Sequence, residues 1–144
     1  MLMAEGTGER KTIEKILKES KTIAVVGLSP DPERPSNHVA GYLKSLGYKI
    51  ISVNPSASEI LGEKSYPDLS SIPEKVDVVD IFRKSEFVPE IVREAIKIKA
   101  KAVWMQEGIV SEEGAEAARK AGLLVVMDRC MLKEHMKLSG SGRL

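Results

Sequence analysis

A single cysteine, Cys130, stands in the 144 residues, so the chain can form neither an internal disulfide nor a cysteine metal cluster. Aromatic residues are also scarce: two Phe, one Trp and three Tyr leave the core to be built from aliphatic side chains. Neither sign of charge dominates. The 22 Lys and Arg against 21 Asp and Glu give a net charge of +1 and no long basic stripe, which removes support for nucleic-acid binding by phosphate neutralisation. No apolar run approaches the roughly 20 residues that span a bilayer. Met1–Arg10 is polar and glycine-containing, without the apolar stretch of a secretory signal. HExxH, GxSxG and P-loop motifs are missing, which leaves metalloprotease, serine hydrolase and NTPase chemistry without a carrier. The expectation is a soluble, cytoplasmic protein with no nucleic-acid or membrane partner.

What is present is regular. With 42% apolar residues, a chain of 144 suits one domain. Ile13, Ile16 and Leu17 are spaced for a short amphipathic helix over Lys11–Glu19, after a flexible start at residues 1–10. Thr22–Val26 is a β-branched run that is apolar on both faces, the mark of a buried parallel strand. A proline-rich loop then leads to Ser36, read as the cap of a helix that buries Val39, Leu43 and Leu46 and ends at Gly47. Strands are expected at Tyr48–Val53, Val76–Phe82, Lys101–Met105 and Leu123–Met127. Helices are expected at Glu86–Lys99, Ser111–Ala121 and Cys130–Leu138, and the Gly/Ser-rich residues 139–144 read as a disordered tail. This alternation predicts a single α/β, Rossmann-like, doubly wound domain over residues 11–138. Its sheet is expected to have five parallel strands in the order 3-2-1-4-5, with helices on both faces.

In such a sheet, ligands sit beyond the carboxyl ends of the strands, near the reversal of strand order. That rule gathers Gly27-Leu28-Ser29, Asn54-Pro55, Phe82-Arg83-Lys84, Gln106-Glu107-Gly108 and Asp128-Arg129-Cys130 at one edge. The helix start near Ser36 and Asn37 favours a phosphate, with hydroxyls from Ser29 and Ser36 and a cation from Arg34. Gly27 has no second glycine until Gly41, so the dinucleotide fingerprint GxGxxG is missing, and a lone glycine also fits plain packing. The second strand ends in Asn54-Pro55 where an NAD-binding chain carries an acid for the ribose diol. That suits NADP or coenzyme A, although the same pair also reads as a turn. Arg83 can pair with a phosphate and Phe82 can contact adenine; a core Phe beside solvated charges is the alternative. Gln106, Glu107 and Gly108 offer acceptors and a close backbone approach. His38 and His135 read as structural, and the acids Asp80, Glu107 and Asp128 form no visible acid–base pair.

Taken together, "IAVVGLSPDPERPSNHVAGYL", "YKIISVNP", "VDVVDIFRKSEFVPEIVREAI" and "AVWMQEGIVSEEGAEAARKAGLLVVMDRCM" resemble the CoA-binding domain family, small Rossmann-like modules related to the first domain of the succinyl-CoA synthetase α subunit. The resemblance covers Lys21 to Leu138. It implies coenzyme A phosphates around Gly27–Ser29 and Ser36, adenine and ribose near Asn54–Pro55 and Phe82–Lys84, and the pantetheine along Gln106–Gly108. The family's glycine-rich turn with its lysine is replaced here by Pro55-Ser-Ala-Ser, so Arg34 or Arg83 must supply the cations. The phosphohistidine domain and the ATP-grasp partner of that synthetase are not in this sequence. The expected function is therefore a non-catalytic CoA or acyl-CoA binding protein, a carrier, sensor or subunit. An NADP-dependent oxidoreductase or dinucleotide-responsive regulator and a CoA-binding subunit of an acyl-CoA synthetase are the alternatives. Cys130, with Arg129 beside it at a helix start, is a candidate for a mixed disulfide with the CoA thiol; a buried, inert cysteine is the competing reading.

Overall fold

The computed structural model describes residues 2–142, with side chains described from residue 8. Seven strands form one sheet in the order β3-β4-β2-β1-β5-β6-β7. They are β1 (Thr22–Val26), β2 (Lys49–Val53), β3 (Glu59–Ile60), β4 (Glu63–Tyr66), β5 (Val78–Ile81), β6 (Ala102–Met105) and β7 (Leu124–Val126). Every pairing is parallel except the short β3–β4 hairpin at the edge.

Two expectations about the sheet are corrected. It has seven strands rather than five, and Val78–Ile81 lies beside β1, not outside β2. The outer position is taken by β4, which the sequence hides. Its residues Glu-Lys-Ser-Tyr carry no apolar alternation, and only two register pairs, Ser52↔Ser65 and Val53↔Tyr66, join it to β2. The chain thus steps outward from β1 to β2 and β4, then returns to β5 on the other side of β1. The reversal falls between β1 and β5.

Five helices cover the two faces: α1 (Leu2–Glu19), α2 (Pro35–Ser45), α3 (Val88–Lys97), α4 (Glu112–Lys120) and α5 (Met131–Gly140). On one face, α3 and α4 bury Val88, Val92, Ala95, Ala115 and Ala118 against Ala24, Val26, Val79, Ile81 and Met105. On the other, α1, α2 and α5 bury Ile13, Ile16, Leu17, Leu43 and Met131 against Ile23, Val25, Val78 and Trp104. Each fully buried Val, Leu, Ile or Met side chain contributes about 1.5–3 kcal/mol of burial free energy, so the two clusters dominate the stability of the fold.

Helix α1 starts at Leu2 rather than Lys11, reaching into the stretch expected to be flexible. Thr12 hydroxyl donates to the Gly8 carbonyl (3.0 Å), and Glu9 pairs with Arg129 (2.6 Å), tying this segment to the loop before α5. The closing helix likewise extends to Gly140, into the stretch expected to be a tail; Met1, Arg143 and Leu144 lie outside the described residues. Ser111 caps α4 as expected, accepting from the Gly114 N–H at 3.0 Å. Helix α2 differs: it begins at Pro35, with Arg34 at the cap position and no side-chain cap. Proline is pre-set for the first helical position and has no N–H to satisfy, so Ser36 falls inside the helix instead of capping it.

Candidate functional site

Strand β1 stops at Gly27, whose φ of +89° is a conformation that favours glycine. Space requires it too. A Cβ there would lie 2.8 Å from the Phe82 carbonyl oxygen and 3.1 Å from the Arg83 Cδ. The Phe82 N–H donates to the Val26 carbonyl (2.9 Å) and the Gly27 N–H to the Val53 carbonyl (3.0 Å), so the ends of β1, β2 and β5 are drawn together where the strand order reverses. A cleft of about 920 Å³ opens there, bounded by the strand ends, the Pro67–Asp68 segment and α3.

The cleft brings together Gly27, Asn54, Pro55 and Arg83 of the residues singled out from the sequence. Asn54 is committed on both sides: its side-chain amide donates to the Leu28 carbonyl (2.9 Å) and its oxygen accepts from the Ser56 N–H (2.7 Å). It joins the end of β2 to the glycine loop as a neutral strut and places no charge there. The Arg83 guanidinium lies over the Phe87 ring, 4.4 Å from its centroid, a cation–π pair at the cleft wall.

The loop between β1 and α2 is held from within. Leu28 is fully buried. Ser36 hydroxyl accepts from the Ser29 N–H (2.9 Å), Asn37 donates to the Ser29 carbonyl (2.9 Å), and Ser29 hydroxyl accepts from the Asp31 N–H (3.1 Å). Ser36 and Asn37 are themselves buried, so these side chains shape the loop. The backbone of the first turn of α2 carries no side-chain cap, and Arg34 stands exposed beside it.

Other expected residues are placed apart from the cleft. Phe82 follows Ile81 in the pleat and so turns to the opposite face, where it packs on the α1/α2/α5 cluster. Lys84 is exposed outside the cleft lining. Gln106 is buried and its side-chain oxygen accepts from the Met131 N–H (3.1 Å), at the start of α5. Glu107 pairs with Lys133 (3.0 Å), and Gly108 N–H donates to the Asp128 carboxylate (2.6 Å). Cys130 occupies the cap position of α5 and is buried in the α1/α2/α5 cluster. His135 sits between Tyr42 and Tyr48, with Nδ1 3.3 Å from the Tyr42 hydroxyl; burial lowers its pKa. His38 is exposed. Phe87, Arg93 and Lys97 line the cleft without having been singled out in the sequence. The signal for the last two was that each stands three residues after an acid, Glu90 or Glu94, and that the two stand four apart, on one helix face.

Asp80 is the other unforeseen feature. It stands in register with Val25 and Trp104 inside the sheet, fully buried, and neither carboxylate oxygen has a hydrogen-bond partner among the described residues. Desolvation pushes its pKa well above the ordinary value of 3.8. A second cavity, about 540 Å³, lies at the amino edge of β6 and β7 and contains none of the expected residues. Among the described residues no cluster of His, Cys, Asp and Glu could hold a metal, and no helix is long and apolar enough to cross a membrane.

Fold and site together define a Rossmann-like α/β module with an open cleft at its topological switch point. Residues 21–136 match the family model of the CoA binding domain, and the chain belongs to that family. It is 41% identical over 123 residues to the uncharacterized protein YneT of Bacillus subtilis, covering 85% of this chain and 91% of YneT. A hypothetical protein of Pyrococcus horikoshii, solved as a structure, superposes with a TM-score of 0.88 at 45% identity, over 91% of this chain and 92% of that one. An acetate–CoA ligase (ADP-forming) II of Archaeoglobus fulgidus is 33% identical over 119 residues. The match covers 77% of this chain but only 18% of the ligase.

Proposed function

We propose that this chain binds coenzyme A or an acyl-CoA across the carboxyl edge of the sheet, as a carrier, sensor or subunit, without itself forming the thioester. One observation carries the reading: the cleft at the switch point combines a glycine whose Cβ would crowd the Phe82 carbonyl with an arginine and a neutral β2 terminus. Gly27 lets the end of β5 close on β1 and so shapes the cleft floor, the uncapped start of α2 at the same sheet edge favours a phosphate, and Asn54 presents no carboxylate to repel a phosphorylated ribose. The cleft volume is in the range of sites that enclose cofactor-sized ligands, and Arg83 over Phe87 offers a flat, cationic wall to a base. These residues fit the adenosine phosphate portion of the coenzyme. The coenzyme itself would supply the reactive thiol; the described residues around the cleft supply binding and orientation.

A second reading, a CoA-binding part of an acyl-CoA synthetase, is favoured by the 33% identity to the Archaeoglobus fulgidus acetate–CoA ligase. Against that, YneT matches over 91% of its length, so at least one relative consists of little more than this domain. Mass spectrometry of the small molecule released from natively purified protein tests the shared claim. Release of CoA or an acyl-CoA is expected; release of NADP, or of no nucleotide from protein that also fails to take up added CoA, overturns it.

A further inference from the structure

Helix α3 presents Glu90, Arg93, Glu94 and Lys97 to the cleft, stacked on one face by their spacing of three, four and seven residues. The acids there are largely spoken for. Glu94 accepts from the Leu69 N–H (3.2 Å) and the Ser70 hydroxyl (3.4 Å), while Asp68 accepts from the Ser71 N–H (2.9 Å) and hydroxyl (2.6 Å). Glu94 thereby holds the 3₁₀ turn Leu69–Ser71 against α3, and Asp68 caps that turn. The cations are not engaged in this way. Lysines on other helices pair with an acid one turn away, as in Lys15–Glu19, Lys18–Glu14 and Lys120–Glu116, but Arg93 and Lys97 have no ion pair among the described residues. Glu90, three residues before Arg93, also lines the cleft but makes no ion pair with it among the described residues.

Direction matters as much as charge. Long side chains on a helix lean toward its amino end, which for α3 is the mouth of the cleft where Gly27, Arg83 and Phe87 lie. Arg93 stands about 9 Å and Lys97 about 15 Å along the helix axis from Phe87, and both line the cleft on its α3 side. The facing wall, Asn54-Pro55-Ser56, is free of carboxylates. A ligand seated at the switch point therefore meets two positive charges without an ion pair on the helix side, Arg93 and Lys97, against the Glu90 carboxylate nearer the mouth.

We propose that Arg93 and Lys97 form an anion subsite for the ribose phosphate of the bound nucleotide, which makes the cleft selective for the 3′-phosphorylated coenzyme over its dephospho form. The subsite rests on the coenzyme reading given above, and it assigns the discrimination to α3, leaving Arg83 to the base and the mouth. Both side chains are exposed at the cleft wall, so replacing them leaves the core intact.

The test is calorimetric titration of wild type and the double variant Arg93→Met/Lys97→Met with CoA and with dephospho-CoA, at low and moderate salt. Wild type is expected to prefer CoA by about tenfold or more, and the double variant is expected to lose that preference while binding dephospho-CoA as wild type does. The preference should shrink as salt rises, because exposed charges are screened. A double variant that keeps the wild-type preference, or a wild type that binds both forms equally, overturns the subsite while leaving the coenzyme reading intact. A wild type that binds neither form overturns the coenzyme reading and the subsite with it.

Discussion

Gly27 and Phe82 meet backbone to backbone at the switch point: a Cβ on Gly27 would stand 2.8 Å from the Phe82 carbonyl oxygen, with φ at +89°. Steric overlap and backbone strain act at the same atom. Gly27→Ala is expected to cost about 1–3 kcal/mol of stability, read as a lower urea midpoint, and to weaken CoA binding as the β1 and β5 ends separate. An alanine variant with wild-type stability and affinity would mean that the close approach has no consequence.

Asp80 yields a pH dependence of definite sign. Its pKa in the folded protein is raised by desolvation, whereas in the unfolded chain it ionises near the ordinary 3.8. Between these values the unfolded state releases a proton that the native state keeps. Asp80 therefore removes stability as pH rises from about 4, by up to about 1.4 kcal/mol per pH unit, until the folded-state pKa is reached. Asp80→Asn should match wild type near pH 3 and become progressively more stable than it toward neutrality, by urea unfolding across pH. Parallel stability curves for the two proteins would show that Asp80 does not remain protonated in the native state.

Arg83 sits on the Phe87 ring at the cleft mouth, away from Lys97 at the far end of α3. Arg83→Ala should weaken CoA by about 1.5–3 kcal/mol, the range for a charge-assisted contact, and dephospho-CoA by the same amount. A loss confined to CoA would place Arg83 on the 3′-phosphate.

How far the sequence reveals this molecule depends on what each residue had to signal. The strands β1, β2, β5, β6 and β7 were legible because buried parallel strands are near-continuous apolar runs, and Ser111 announced α4 through its cap. Strand β4 was not, because two register pairs and a polar tetrapeptide leave no periodicity, and missing it misplaced β5. Within the site, Gly27 and Arg83 could be found by the strand-end rule. The ring of Phe82 could not be placed, since a one-residue step in the pleat decides which face it takes, and Phe87, in the turn before α3, carried no signal of its own. Arg93 and Lys97 looked like an ordinary solvated helix face; only the position of α3 against the β1 and β2 ends turns that face toward a cleft.

Incubated with a carboxylic acid, CoA and a nucleoside triphosphate, the purified 144-residue chain should form no acyl-CoA. No P-loop is present in the sequence to bind and activate the triphosphate. Thioester formation that disappears in the Gly27→Ala variant would contradict this and make the chain a catalyst.

The central claim is that the cleft is built for coenzyme A rather than for a dinucleotide with an unsubstituted ribose. Calorimetric titration of the wild-type chain with CoA and NAD side by side tests it most directly. The account predicts micromolar or tighter CoA binding with NAD weaker by about tenfold or more, a difference of about 1.4 kcal/mol. Equal affinity for the two, or heat of binding with NAD alone, would contradict it.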